Sequence, residues 1–152
     1  MTNNDFRIEK DSLGEVRIPA KAYWSTTTQR ALEVFPISGT RHHPRFVDAY
    51  VMQKLAAARA NRSAGVLEEK LSRAIEQACQ EILGGDHRHQ FVVDVFQMGA
   101  GTSFHMNVNE VIANRANEVL GAPLGSYEYV RANDHVNFGQ STNDTFPTAI
   151  RM

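Results

Sequence analysis

A stripe of apolar residues that recurs every three or four positions over residues 67–83 constrains the fold of this chain more than any other feature. Its members are Leu67, Leu71, Ala74, Ile75, Ala78, Cys79, Ile82 and Leu83. Charged and amide side chains lie between them, and Gly84 and Gly85 offer a C-terminal stop. Because this is the period of an amphipathic helix with one buried face, we predict a helix over residues 67–83.

Three other segments also have helical signals. Apolar residues recur at helical spacing from Pro44, which suits a first helical turn, to a stop at Gly65. They recur again from near Ser103 to Leu120. A last helix is predicted to begin within residues 143–147, and so few residues follow that we expect the chain to be the truncated part of a longer protein.

The N-terminal region has a different pattern. Short β-like stretches over residues 7–19 flank Asp11 and Gly14, which suit the first and fourth positions of a type I turn, and we predict a small hairpin there. The apolar run over residues 91–96 is too short to distinguish extended from helical structure. The predicted fold is one mainly α-helical domain over residues 1–152 with a small N-terminal β-hairpin.

Composition excludes several functional classes. The 16 basic and 17 acidic side chains give no positive field for a phosphate backbone, so we expect no nucleic-acid partner. No apolar run approaches the roughly 20 residues that span a bilayer, and we expect no membrane association. The single cysteine, Cys79, excludes an internal disulfide and fits a reducing compartment, so the cytoplasm is the expected location.

Two glycine- and hydroxyl-rich loops, residues 99–103 and residues 139–144, each precede a predicted helix. Glycines let the backbone approach a ligand, and the amides of a first helical turn favour an anion. The same residues are also ordinary helix caps, so the loops alone leave both interpretations open. Neither loop has the spacing of a nucleotide-binding motif. We expect the bordering His105 and His135 to be hydrogen-bonding spacers.

The predicted helix after the first loop carries weak helix formers. Asn107, Glu110 and Asn114 fall on one face of it, which indicates a buried polar network, a subunit contact or a solvated face. Periodicity does not distinguish these alternatives.

Other reactive side chains carry simpler predictions. His87 and His89 lack clear third and fourth ligands, so we expect no metal site. Cys79 lies on the apolar stripe and should be a buried small hydrophobic residue, not a nucleophile. Arg115 lies on an apolar face and is expected to pair with a buried carboxylate or to reach across an interface.

At the two loops the sequence resembles a known family. Residues 99–103 followed by residues 106–114 resemble the first signature segment of class II fumarases and aspartases. Residues 140–148 resemble the second, and residues 7–32 match the family's N-terminal region in the same order. The sequence is identified as a member of the fumarase/aspartase superfamily. This implies a helical N-terminal lyase domain truncated before the central helical bundle.

Within the superfamily, particular positions differ. Thr142 and Arg131 look more like aspartase, because fumarases tend to have serine and histidine there. Trp24 leans towards fumarase, and His105 departs from the asparagine that is usual in both. The preferred interpretation is an aspartate ammonia-lyase. A class II fumarase and a non-catalytic domain that binds dicarboxylates or self-associates remain alternatives.

The resemblance also implies a mechanism of anti-elimination through an aci-carboxylate dianion, with no metal or organic cofactor. Thr102, Ser141 and Thr142 would donate hydrogen bonds to the carboxylate whose negative charge grows, and Asn143 would hold the other end of the substrate. Ser103 is also expected to bind the substrate. No catalytic base is expected within these 152 residues. Family members assemble their sites from several subunits of a tetramer, so we expect a homotetramer at full length and an inactive isolated chain.

Overall fold

The computed structural model describes residues 5–152, and residues 1–4 of the predicted domain lie outside this range. The described chain is mainly helical with a small antiparallel hairpin, which confirms the predicted fold class. Its elements are β1 (Phe6–Asp11), β2 (Gly14–Pro19), α1 (Thr26–Val34), α2 (Pro44–Ser63), α3 (Glu69–Gly84), α4 (Thr102–Val119) and α5 (Thr142–Arg151). A 3-10 turn (Arg88–Gln90) and a short π-helix (Ala132–Val136) lie in the connections.

The hairpin forms where the sequence predicts it. Asp11 and Gly14 are the last paired residues of β1 and β2, and the Asp11 carboxylate accepts from the Leu13 amide across the turn at 2.8 Å. Arg30 of α1 donates to both oxygens of the same carboxylate, at 2.9 and 2.8 Å. This pairing lowers the pKa of Asp11 to about 2. The turn is therefore fixed against α1.

Helix α1 is the element that the sequence pattern did not predict. It has nine residues, begins with three threonines, and receives no side-chain cap from its own N-cap residue, Ser25. Its free amides at Thr27 and Thr28 instead donate to the carboxylate of Glu110 on α4. Because its cap comes from a distant part of the chain, no local signal marks its start.

Helices α2, α3 and α4 enclose the main hydrophobic core. On α3, Ile75, Ala78, Cys79 and Ile82 are fully buried, as the apolar stripe predicts. The helix begins at Glu69, two positions after Leu67, and ends against Gly85, whose φ of 113° is strained for residues with a Cβ. Burial of this stripe sets the position of α3.

The remaining predicted elements need small corrections. The predicted first helix is α2, which ends at Ser63, and Gly65 follows with a φ of 71°. The last helix, α5, begins at Thr142, with Ser141 as its cap. Residues 91–96 are neither helix nor regular strand, apart from one isolated bridge between Arg41 and Asp94.

Within residues 5–152, no helix combines the length and the apolar character that crossing a membrane requires.

Candidate functional site

The buried polar side chains of helix α4 hold the chain segments that surround the site. Glu110 is 2% exposed, and its carboxylate accepts from the amides of Ser25, Thr27 and Thr28 at 2.9, 3.0 and 3.1 Å. Burial raises the pKa of Glu110, and the donors from Thr28 and Ser25 oppose that shift. This single carboxylate fixes the entry to α1.

The asparagines of α4 act in the same way on other segments. Asn114 donates to the carbonyl of Tyr23 at 2.7 Å and accepts from the amide of Gly125 at 2.9 Å. Asn107 accepts from the amide of Val92 and donates to the carbonyl of Gln90, at 2.9 and 3.0 Å. Both asparagines are fully buried. The face that the sequence left open is therefore a buried network, and the solvated interpretation is wrong.

Asn117 extends this network towards the second loop. Its side chain accepts from the amides of Tyr129 and Val130 at 2.9 and 3.0 Å and donates to the Val130 carbonyl at 2.6 Å. These residues lie directly before the π-helix that leads into the second loop. The path of the chain towards residues 139–144 is thus set from α4.

The first loop ends at Gly101, whose φ of 84° is left-handed. A Cβ at this position would overlap the ring of Phe146 on α5, so glycine permits the close approach of the two helices. The Met98 carbonyl accepts from the amides of Gly101 and Thr102, and Gln97 Oε1 accepts from the amide of Phe104 at 2.6 Å. These amides already have acceptors inside the protein. Thr102 is half-buried and Ser103 is buried, and their hydroxyls are the side-chain donors of this loop.

Thr102 and Ser103 both line a cavity of about 360 Å³. Its other walls come from the hairpin turn, from α1 and from Met98. Arg30 lies in this wall, but its guanidinium is paired with Asp11.

The second loop is built around Ser141. Its hydroxyl accepts from the amide of Asn143 at 3.3 Å, and its carbonyl accepts from the amide of Thr145 at 2.9 Å. Ser141 and Asn143 are exposed, and Thr142 is half-buried. The three predicted binding residues of this loop thus share one helical turn at the start of α5.

Buried contacts connect the first turns of α4 and α5. The hydroxyl of Tyr50 on α2 lies 2.7 Å from His105 Nδ1 and 2.9 Å from Thr145 Oγ1. His105 Nδ1 and Thr145 Oγ1 are themselves 3.2 Å apart. Burial lowers the pKa of His105 to about 4, so the ring is neutral at pH 7. His105 is a hydrogen-bonding spacer, as the sequence predicts.

The structure groups the five predicted binding residues in two sets. Thr102 and Ser103 share the cavity beside α1, whereas Ser141, Thr142 and Asn143 share the first turn of α5. Within residues 5–152, no hydrogen bond joins one set directly to the other. A shared ligand between them remains a prediction.

Lys54 is the polar residue that the sequence interpretation missed. It lies on α2 and is fully buried, and its Nζ donates to Asn137 Oδ1 at 3.0 Å and to Gln140 Oε1 at 2.9 Å. Burial lowers its pKa to about 7. Its position four residues after Tyr50, on the apolar stripe of α2, was the signal that could have found it.

Two other reactive residues, Cys79 and Arg115, follow the sequence predictions in part. Cys79 is fully buried, and burial raises the pKa of its thiol to about 12. Arg115 pairs with Glu81 at 2.5 Å and with Glu118, and both carboxylates are partly exposed. Within the described residues, no group of three or more histidine, cysteine, aspartate or glutamate side chains is placed to hold a metal.

Comparisons with known proteins place these features in a family. A family model described as Lyase matches residues 14–152. The class II fumarate hydratase of Halobacterium salinarum is 53% identical over 150 residues, covering 99% of this chain and 32% of that protein. The aspartate ammonia-lyase of a Bacillus species is 50% identical over 150 residues, again 99% of this chain and 32% of the relative. The chain belongs to the fumarase/aspartase family of lyases.

Solved structures of this lyase family have the same fold. The fumarate lyase/delta crystallin of Brucella melitensis superposes with a TM-score of 0.93 at 53% identity, over 96% of this chain and 34% of that one. The class II fumarase of Schistosoma mansoni gives a TM-score of 0.91 at 39% identity, over 95% of this chain and 31% of that one. The lyase chain thus spans about a third of the length of these relatives. The relatives' names include both fumarase and aspartate ammonia-lyase and do not distinguish the two reactions.

Proposed function

We propose that the chain forms a carboxylate-binding wall of a lyase that removes ammonia from L-aspartate to give fumarate. The observation that carries the proposal is the contact between the first turns of α4 and α5, made through Tyr50, His105 and Thr145. Each of these two turns begins with hydroxyl side chains of a family signature, Thr102 and Thr142 among them.

The chemistry requires neutral donors that are already in place. When a base removes the proton beside a carboxylate, that carboxylate becomes an aci-carboxylate dianion, and ammonia then leaves. Fixed hydroxyl donors stabilise the added charge without reorganising, and each is worth about 3 kcal/mol in comparable sites. Thr102, Ser141 and Thr142 supply such donors, while Asn143 holds the far end of the substrate. Ser103 is a further substrate contact in this proposal. The base comes from the part of the lyase that matches the remaining length of the relatives.

The choice of ammonia as leaving group rests on two positions. Thr142 and Arg131 replace the serine and histidine that fumarases tend to have. A class II fumarase is the second candidate, since Trp24 and the 53% identity to a fumarate hydratase favour it. A non-catalytic dicarboxylate-binding domain is the third.

The proposal extends to assembly and location. Leu13, Val34, Ile37, Phe96 and Met98 are apolar and more than half exposed, which supports a homotetramer that covers such side chains. Sedimentation of the 152-residue chain should show self-association through such exposed apolar side chains, and a stable monomer would count against this self-association. The single buried cysteine suits a reducing compartment, and we place the enzyme in the cytoplasm.

Binding is tested on the chain itself by recording amide spectra during titration with fumarate. Shift changes should concentrate at residues 102–103 and 141–143. Thr142→Val should weaken binding about tenfold or more, because a hydroxyl donor to a charged group is lost. Thr148→Val, an exposed threonine on the same helix, is the matched control. Shifts confined to other surfaces would overturn the assignment of the site.

The reaction is tested separately by following fumarate absorbance with L-aspartate and with L-malate. A protein of full family length that contains this chain should release fumarate from L-aspartate. Turnover of L-malate alone would replace the ammonia-lyase proposal with the fumarase alternative. The isolated 152-residue chain should turn over neither substrate, and measurable activity would mean that the base lies within it.

A further inference from the structure

Lys54 is an unusual residue to find fully buried. Moving an ammonium out of water is costly unless a carboxylate or several hydrogen bonds compensate. Here Nζ meets two amide oxygens, at 3.0 and 2.9 Å, and lies 5.8 Å from the centroid of the Tyr50 ring. Within residues 5–152 none of the ion pairs involves Lys54. A neutral residue at this position would avoid the free-energy cost of desolvating an ammonium. The presence of a lysine here therefore indicates a role for its charge.

The two amides that contact Lys54 form the base of the second loop. Gln140 Nε2 donates to the Val136 carbonyl at 3.0 Å, and Asn137 Nδ2 donates to the Gln140 carbonyl at 3.3 Å. Gln140 directly precedes Ser141, the N-cap residue of α5. Lys54 thus links α2 to the backbone that presents the predicted carboxylate-binding turn.

The groups that face Lys54 from neighbouring elements are neutral at pH 7. Cys79 on α3 is a buried thiol with its pKa raised to about 12, and Tyr50 on α2 likewise has its pKa raised to about 12. His105 on α4 has its pKa lowered to about 4, by burial and then by the charge of Lys54. The loop contributes only the amides of Asn137 and Gln140. The ammonium therefore lacks a counter-charge among its described neighbours.

We propose that Lys54 is a positioning residue for the second loop and supplies the positive charge that offsets a dicarboxylate bound at the start of α5. This inference rests on the proposed function, whose predicted contacts in this turn are all neutral. The link runs through Gln140, which accepts from Nζ and directly precedes Ser141, the first residue that would touch the ligand. The partner chemistry is a small dianion such as fumarate.

A bound dianion should also change the protonation of Lys54. The folded-state pKa is about 7, so at pH 8 the side chain is largely neutral before the ligand binds. Negative charge nearby favours the ammonium and raises its pKa. Fumarate binding at pH 8 should therefore take up a fraction of a proton, approaching one per chain.

Titration calorimetry with fumarate in two buffers of different ionisation enthalpy measures this uptake on the 152-residue chain. The parent should take up protons at pH 8. Lys54→Met should lose the uptake and bind about tenfold more weakly, whereas Lys54→Arg should keep much of the affinity without uptake, because arginine stays charged. Lys70→Met replaces an exposed lysine in the first turn of α3; it is the control and should behave as the parent does. Unchanged uptake in Lys54→Met would overturn the charge role.

Hydrogen exchange without ligand tests the positioning role independently. Amides of residues 140–142 should exchange faster in Lys54→Met than in the parent, with partial restoration in Lys54→Arg. Equal exchange in all three proteins would exclude positioning. Residues 140–142 could exchange faster in Lys54→Met than in the parent while the parent binds no fumarate. In that case the proposed function and the charge role fail, and the positioning role stands. If Lys54→Met does not fold, the comparison of the parent with Lys54→Arg decides both roles.

Discussion

Helices α3 and α4 pack side by side in the core, yet they are held in opposite ways. Helix α3 buries one apolar stripe and exposes the other face, where Arg73 and Glu69 form an ion pair. Helix α4 is buried on nearly every side, including four asparagines and Glu110. Helix α3 contributes buried apolar area, and helix α4 contributes hydrogen bonds to segments that have no regular structure of their own.

This difference indicates which side chains of the two helices the stability of the fold depends on most. Removing part of an apolar side chain costs free energy in proportion to the lost contacts and the cavity left behind. Removing a buried acceptor leaves several donors without partners, and each orphaned donor costs about 1–3 kcal/mol. The polar side chains of α4 should therefore be much less tolerant of truncation than the apolar ones of α3.

The largest expected effect comes from Glu110→Ala. Three amides lose their acceptor, so the free energy of unfolding should fall by about 4 kcal/mol or more, a large part of the stability of an ordinary domain. Urea unfolding followed by circular dichroism measures the loss. Glu69→Ala on the exposed face of α3 is the matched control and should stay close to the parent. Equal stability of the two variants would remove the contrast between the helices.

The next largest effect is a dependence of the protein's stability on pH, which arises from His105 on α4. The folded-state pKa is about 4 and the unfolded value is 6.5, so between these values the unfolded chain binds more protons. Stability should therefore fall as the pH drops from 6.5 to 4, by about 3 kcal/mol for this residue. Comparing urea unfolding at pH 7 and pH 4.5 in the parent and in His105→Asn measures it. An equally steep fall of stability in the variant would assign the acid sensitivity to other groups. His42 is one such group, because burial lowers its pKa to about 4 as well.

A third effect tests the connection from α4 to the second loop. Asn117→Ala deprives the amides of Tyr129 and Val130 of their acceptor and should cost about 2 kcal/mol of unfolding free energy. Amide exchange should increase first in residues 129–140, since that path is held from α4. The exposed Asn133 offers the control substitution to alanine. Uniform exchange across the chain would mean that Asn117 stabilises the whole domain and not this path.

The same contrast explains how much of the fold was predictable. The α3 stripe, the glycine stops and the hairpin turn are local patterns, and the structure confirms them because residues close together in the sequence decide each one. Helix α1 was missed, since its cap is the carboxylate of Glu110, far along the chain. The π-helix at Ala132–Val136 also has no apolar period to announce it.

For the candidate site, the sequence motifs predicted the binding residues but not the buried contacts that hold their helices together. Thr102 and Thr142 follow from the signature loops, whereas the contacts among Tyr50, His105 and Thr145 exist only once three helices meet. The pairing of the Gly101 and Thr102 amides with the Met98 carbonyl likewise depends on how the loop folds back. Periodicity encodes which face is buried, and it does not encode which polar atoms pair there.

The smallest effect belongs to α3 and completes the comparison. Ile75→Val removes one methylene from a fully buried side chain, leaves no donor or acceptor unpaired, and should cost about 1 kcal/mol. Gln80→Ala on the exposed face should change stability by less than about 0.5 kcal/mol. Urea midpoints of both variants should be compared with that of Glu110→Ala. The loss of unfolding free energy should be small for the two α3 variants and large for the α4 variant. A loss from Ile75→Val as large as that from Glu110→Ala would mean that apolar packing, and not the buried polar network, limits the stability of this domain.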